Sequence, residues 1–284
     1  MKYIITGYKG FVGSSLYKLF PESFVFEKDD IYDEKMVEEC DGIFHIGGCA
    51  DLREPDINSM FFYNVDRSTE LFRLAKSFNK RVVFTSSSAI YGNDGAPTNS
   101  YSWSKYCTEL IGAEMLQNNF IALRLFNVYG SGEEHKGLMS SIPYHIYKAK
   151  KFGIFPATVY NSGYIPGMSA PWGPRSPRRD FIYIDDVIFL MIKSMKKIQG
   201  VKSSGTFNLC TGRSVRVDFL FNLIKKNIGL NSKVIRKKLD NFDPKKSSGN
   251  SNKILKFLNL KKYNFTTLEN GLAGTINNAR NRGL

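Results

Sequence analysis

The sequence predicts an α/β fold built on a doubly wound parallel sheet, and two observations carry that prediction. Short β-branched apolar runs alternate with helical stretches as far as about residue 127. Such alternation calls for a parallel sheet with helices on both faces. The first apolar run also ends in Gly7-Tyr8-Lys9-Gly10-Phe11-Val12-Gly13 and leads straight into a helix.

Lys2–Thr6 reads as a buried strand, and Ser14–Phe20 as a helix stopped by Pro21. Ser23–Glu27 is a second strand, Lys35–Cys40 a helix, and Gly42–Ile46 a third strand ending in Gly47-Gly48. Met60–Phe78 has the spacing of a long amphipathic helix. Arg81–Thr85 is a fourth strand closed by Ser86-Ser87-Ser88. Tyr101–Gln117 is helical, and Phe120–Leu125 is a fifth strand. Beyond residue 127 the alternation breaks. Ala157–Arg179, with Pro166, Pro171, Pro174 and Pro177, reads as a long loop. A returning strand at Arg179–Ile184, a helix at Asp185–Lys197 and a strand at Thr206–Leu209 follow. The remainder, rich in lysine and asparagine, reads as helical pieces. The expected division is a dinucleotide-binding domain of residues 1–127 plus about 179–212. A smaller interleaved domain of about 128–178 plus 213–284 would bind substrate.

Composition narrows the function classes. The chain has 284 residues, 42% of them hydrophobic, which suits a globular core. No run approaches the roughly 18 apolar residues of a membrane span. The apolar start is too short for a signal peptide, so a cytoplasmic protein is expected. Cys40, Cys49, Cys107 and Cys210 form no C-x-x-C pair, and His45, His135 and His145 form no zinc-type cluster with them. Reduced thiols and no structural metal are expected. The formal charge is +14, but its lysines are spread along the chain and no nucleic-acid motif accompanies them. A compositional bias, not a nucleic-acid or membrane partner, accounts for it.

The three glycines have distinct uses. Gly7 permits the tight turn, Gly10 lets backbone approach a pyrophosphate, and Gly13 allows close helix packing. A dinucleotide bound to a Rossmann-like sheet is therefore expected. Glu27, about 20 residues on, stands where an acidic side chain holds the adenosine ribose. Its neighbour Lys28 would favour a 2′-phosphate, so NAD and NADP both stay open; Asp30 and Ile31 are counted with this cofactor corner.

Tyr101 and Lys105 lie four apart on one helix face. A phenol that trades a proton near neutrality suits hydride transfer at a carbinol, and a nearby ammonium favours phenolate. The same spacing recurs at Tyr144/Lys148 and Tyr147/Lys151. Position singles out Tyr101, because it follows the fourth strand and its serine-rich end, where ligands bind in such sheets. Ser86, Ser87 and Ser88 each offer a hydroxyl to the reacting oxygen.

The strings TGYKGFVG, FHIGGCAD, TSSSAIYG, YSWSK, LRLFNVYG, RDFIYIDDV and GTFNLCTG together resemble the extended short-chain dehydrogenase/reductase family, in family order. The resemblance implies catalysis by Ser87, Tyr101 and Lys105. It adds Phe11, Val12, Ile46, Gly47, Gly48, Cys49, Asn64 and Val128 to the cofactor lining. A narrower likeness, carried by NVYGSGEEHKGLMSSIPYH, is to the bacterial ADP-glyceromanno-heptose 6-epimerases. It implies Lys136 as a second catalytic base, Asn127, His145 and Arg179 as substrate contacts, and a leaning to NADP. The resulting expectation is a nucleotide-sugar epimerase, homo-oligomeric, serving surface-glycan or lipopolysaccharide precursors. A 4-epimerase or a keto-sugar reductase using external NADPH is the nearest rival. A non-catalytic dinucleotide-binding regulator is the distant one.

Overall fold

The computed structural model describes residues 1–51, 54–133, 157–161, 177–198, 205–228, 234–238 and 246–281. They form two compact units. The first comprises Met1–Leu125, Val187–Leu209 and Ser251–Tyr263; the second comprises Phe126–Asp186, Cys210–Asn250 and Asn264–Leu284.

The first unit is an α/β sandwich of the Rossmann-like kind. Its strands are β1 (Ile4–Thr6), β2 (Phe24–Phe26), β3 (Ile43–His45), β4 (Val82–Ser87), β5 (Phe120–Leu125) and, much later in the chain, Gly205–Leu209. They lie in the order β2-β1-β3-β4-β5 with Gly205–Leu209 at the far edge. Every neighbouring pair is parallel. From β1 the chain runs first to one side and then to the other, so the strand order reverses between β1 and β3. In open α/β sheets ligands bind in the crevice at that point.

Helices α1 (Phe11–Tyr17), α2 (Glu34–Glu39), α3 (Ile57–Phe61), α4 (Arg67–Ser77) and α5 (Ser100–Leu116) connect the strands. The core beneath them is aromatic and β-branched, with Ile4, Ile43, Phe72, Phe84 and Phe120 all buried. The expected single helix at 60–78 is present but interrupted: a π-turn at Phe62–Asp66 joins α3 to α4. Such turns are rare and gather at functional sites. The fourth strand runs two residues further than expected, so Ser86 and Ser87 belong to it.

In the second unit β6 (Asn127–Tyr129) pairs in parallel with Arg178–Tyr183, and Ser214–Arg216 pairs with the latter antiparallel. The expected loop from Ala157 needs correction at its start. Ala157–Asn161 is β7, paired in parallel with Val234–Lys238, a stretch expected to be helical. Adjacent β-branched residues in both segments (Thr158 with Val159, Val234 with Ile235) satisfy strand geometry once a partner is present. With these strands named, Arg178–Tyr183 is β8, Gly205–Leu209 is β9, Ser214–Arg216 is β10 and Val234–Lys238 is β11. Helices α6 (Ile184–Lys197), α7 (Val217–Ile228), α8 (Asn252–Phe257) and α9 (Leu268–Asn281) complete the described elements.

Candidate active site

The glycine turn leaves β1 at Gly7, whose φ of 66° lies in the left-handed region. A Cβ on Gly7 would stand 2.7 Å from Gly47 Cα, and one on Gly13 would stand 2.1 Å from the Gly7 carbonyl oxygen. The strand ends at the switch point thus meet backbone to backbone, with no side chain between them. Gly10 caps α1 without a side chain of its own, and its N–H donates to the Gly7 carbonyl at 3.0 Å. This is a cradle that only glycine can line, and it suits an approaching pyrophosphate.

The far wall of the crevice is held by a buried imidazole. Thr6 and His45 are register partners on β1 and β3. The Thr6 hydroxyl accepts the N–H groups of Ile46 and Gly47 at 3.0 and 2.8 Å. It therefore donates its own proton to His45 Nδ1, 2.8 Å away. Ser68 Oγ donates to the Asn64 carbonyl at 2.6 Å, which makes His45 Nε2–H the donor in the 2.7 Å contact with Ser68. Every member of the chain is satisfied in one direction, and the ring is neutral. Burial, with a smaller push from Lys105, lowers its pKa to about 3.

Asn64, at the centre of the π-turn, continues this framework. Its side-chain amide donates to the Cys49 carbonyl at 3.0 Å and to Ser104 Oγ at 2.9 Å. Its Oδ1 is buried without a partner and faces Gly48, where a Cβ would come within 2.4 Å. An orphaned acceptor beside a glycine-lined crevice is what a bound polar group would satisfy. The residues present therefore fit a dinucleotide.

Helix α5 carries the candidate catalytic side chains. A reciprocal cap between Asn99 and Ser102 fixes its first turn: Ser102 N–H donates to Asn99 Oδ1 at 2.8 Å, and Asn99 N–H to Ser102 Oγ at 3.1 Å. Tyr101 sits in that turn, with the Ser87 side chain close enough to act on its phenol. Ser87 accepts from the Ala89 N–H at 3.1 Å. Burial raises the phenol's pKa, and the Ser87 side chain works against that rise. One turn on, Lys105 is buried with Nζ 3.1 Å from the Thr85 carbonyl. Burial brings its pKa down to about 8, against the opposing influence of Cys49 and Glu109. Glu109 is itself clamped by Arg124 on β5, at 2.9 and 2.6 Å. A phenol, a hydroxyl and a pre-set ammonium thus meet where β4 and α5 face each other.

At the end of β2, Glu27 accepts the Lys9 N–H of the glycine turn at 2.8 Å, which ties this corner to the cradle. Lys28, Asp30 and Ile31 follow it on the exposed surface. In the second unit Asn127 donates to the Asp180 carbonyl at 3.0 Å. Val128 is half-buried on β6. The Arg179 guanidinium reaches the Arg178 carbonyl at 3.1 Å. Lys136 and His145 lie outside the described residues. Sequence reasoning missed Thr6, His45, Ser68 and Ser104. The usable signal was polar residues at the ends of two buried strands, which a sheet register brings face to face.

A model of the NAD dependent epimerase/dehydratase family matches residues 26–210. The chain belongs to that family. An ADP-L-glycero-D-manno-heptose-6-epimerase of Brachyspira hyodysenteriae is 29% identical over 189 residues. That match covers 61% of this chain and 55% of the relative, so the chain spans about half the relative's length. Among solved members of the same fold, the Helicobacter pylori ADP-L-glycero-D-manno-heptose-6-epimerase superposes with a TM-score of 0.79 at 22% identity, covering 98% of this chain and 96% of that one. The UDP-glucose 4-epimerase of Thermotoga maritima superposes with a TM-score of 0.83 at 20% identity over the whole of both chains. The family's description names NAD, and the matched residues begin beyond the glycine cradle. Among the described residues no cluster of histidine, cysteine and carboxylate side chains is arranged to hold a metal, and no helix is long and apolar enough to cross a membrane.

Proposed function

We propose that the protein is a nucleotide-sugar epimerase that works by transient oxidation, with Ser87, Tyr101 and Lys105 as its catalytic residues. The observation that carries this reading is the Tyr101 phenol, near enough to Ser87 at the carboxyl end of β4 for that side chain to ease its ionisation, one helical turn from a buried ammonium. When bound, a nicotinamide dinucleotide supplies reversible hydride acceptance. Tyr101 takes the proton of the sugar carbinol as it is oxidised, and Ser87 holds the reacting oxygen. Lys105 stays protonated below about pH 8, and its charge favours the phenolate that this step needs.

Inversion returns the hydride to the opposite face of the transient carbonyl carbon, and a second proton donor allows the oxygen to be reprotonated in that orientation. Lys136 is assigned to the second face, and Asn127, His145 and Arg179 to the nucleotide-sugar. The part of the chain beyond about residue 127, returning for 179–212 to the dinucleotide domain, is assigned to substrate recognition. The similarity to an ADP-heptose 6-epimerase supports a heptose substrate in surface-glycan assembly. The solved UDP-sugar 4-epimerases support the same reaction on another sugar. A cytoplasmic setting and NAD or NADP as the retained cofactor complete the reading.

Self-association is part of the proposal. The inward face of α5 is polar, with Ser104, Lys105, Thr108 and Glu109 buried. Its outward stripe is Trp103, Tyr106, Cys107 and Leu110, and Trp103 and Leu110 are 46% and 54% exposed. This inverts ordinary amphipathicity. The stripe carries no lysine in a chain of net charge +14, so a second copy meets it without repulsion.

The test is mass spectrometry of the purified protein for a retained dinucleotide, followed by turnover of ADP-heptose and UDP-hexoses under NMR. Inversion without net change in nicotinamide absorbance supports the epimerase. Stoichiometric cofactor consumption identifies a reductase instead.

A further inference from the structure

Behind Lys105 the structure holds a buried ion pair that the chemistry proposed above does not use. Glu109 stands four residues beyond Lys105 on α5, so the two share a helix face. It is 3% exposed, and Arg124 on β5 takes both of its oxygens: Nε lies 2.9 Å from Oε1 and Nη2 lies 2.6 Å from Oε2. Apolar side chains of similar volume often fill such a place as stably, so stability alone does not account for the pair. Its surroundings point to a second use. Arg124 is the register partner of Ser86, which stands between Thr85, whose carbonyl takes the Lys105 ammonium, and Ser87. The guanidinium also lies 4.9 Å from the centroid of the Tyr91 ring. Tyr91 ends the turn that follows Ser87, and its hydroxyl donates to Asn208 Oδ1 on β9 at 2.7 Å. One guanidinium thus ties the helix of Tyr101 and Lys105 to the turn after Ser87. From the elements around it Lys105 is faced by the neutral His45 on β3, by Cys49 after that strand and by the Phe84 ring on β4. Glu109 is the carboxylate among these neighbours.

We propose that Glu109 and Arg124 are positioning residues for the proposed reaction: Glu109 is the counter-charge of the Lys105 ammonium, and Arg124 keeps that helix in register with the Ser87 turn. The inference rests on Ser87, Tyr101 and Lys105 as the catalytic residues. Neither member of the pair needs to reach substrate or dinucleotide, since each acts through a neighbour.

Two measurements decide it. The first needs no ligand: an NMR titration of protein carrying isotope-labelled lysine, with the Lys105 signal assigned from Lys105→Met. Lys105 should titrate near pH 8 in the native protein, and its midpoint should fall by about one pH unit in Glu109→Gln. The second is turnover of UDP-glucose and ADP-heptose by the double variant Glu109→Met with Arg124→Met, whose thermal midpoint should stay near the native value because no unpaired charge is left buried. Its kcat should fall at least about tenfold, with KM and calorimetric NAD+ affinity within about twofold of native. An unchanged Lys105 midpoint in Glu109→Gln, or native kcat in the double variant, overturns the positioning. Loss of the fold in the double variant assigns the pair to stability and overturns it too. Full turnover by Tyr101→Phe, or no inversion of either sugar by the native protein, overturns the catalytic reading instead, and the Lys105 midpoint then still decides whether Glu109 acts on the ammonium.

Discussion

Lys105 and His45 are both basic side chains deprived of water, and their environments tune them differently. Lys105 keeps a carbonyl partner and a distant carboxylate, so its pKa falls only to about 8. Removing its charge with Lys105→Met should lower kcat by about two to three orders of magnitude while folding is retained, and the alkaline limb of the rate profile near pH 8 should disappear. Tyr101→Phe should cost at least as much, and full turnover by either variant would end the proposed chemistry. His45 is neutral in the fold because both ring nitrogens are already committed to hydroxyls. Its folded pKa of about 3 lies below the ordinary 6.5, so its contribution to stability is intact above pH 6.5 and drains away as pH falls towards 3. Between about pH 6.5 and 5 that loss amounts to roughly 1.5–2 kcal/mol. Denaturant titrations of the native protein and His45→Gln should differ in slope across that window. Tyr101 and Lys105 were legible from the sequence because spacing and strand order suffice to place them. The His45 relay was not, since it joins residues 6, 45 and 68, which only the register and the packing of α4 bring together.

Helix α5 carries two demands at once. Its inner face must hold polar groups beside the crevice, and this leaves Trp103 and Leu110 exposed on the other side while Ile111 and Leu116 join the core further along. Leu110→Glu on that outer face should shift the assembly to monomer in light scattering, with Tyr101 and Lys105 undisturbed. A monodisperse monomer in the native protein would remove the self-association proposal. The cap that starts the helix is separable from this. Asn99→Ala removes one side-chain bond to an otherwise orphaned N–H and should cost about 1 kcal/mol, read as a lower thermal midpoint. The sequence pattern of α5 was readable as a helix but not as an inverted one, because period alone does not tell which face is inward. The π-turn at Phe62–Asp66 was likewise hidden. An extra residue in one turn leaves the surrounding periodicity nearly intact, yet it is what brings Asn64 to Cys49 and Ser104 while Tyr63 reaches Asp29.

For the molecule as a whole, the crevice at the strand switch and the dinucleotide are thermodynamically linked. A ligand that binds only the folded state adds about 2.7 kcal/mol at a hundredfold excess over Kd. The native protein should therefore melt several degrees higher with saturating NAD+. Gly13→Ala should lose that increment, because the new methyl meets the Gly7 carbonyl oxygen at 2.1 Å. An undiminished ligand shift in that variant would place the cofactor elsewhere.

By itself the sequence determined the alternation of strands and helices, the glycine turn, and the tyrosine–lysine face. These are local properties: hydrophobic period, backbone freedom and helical spacing act within a few residues. Tertiary structure alone decided the pairing of β7 with β11, the hydroxyl–imidazole chain behind the crevice and the placement of Lys28 over the Tyr63 ring. Each of these depends on which distant segments become neighbours. Burial then turns that neighbourhood into a requirement that every polar group find its partner.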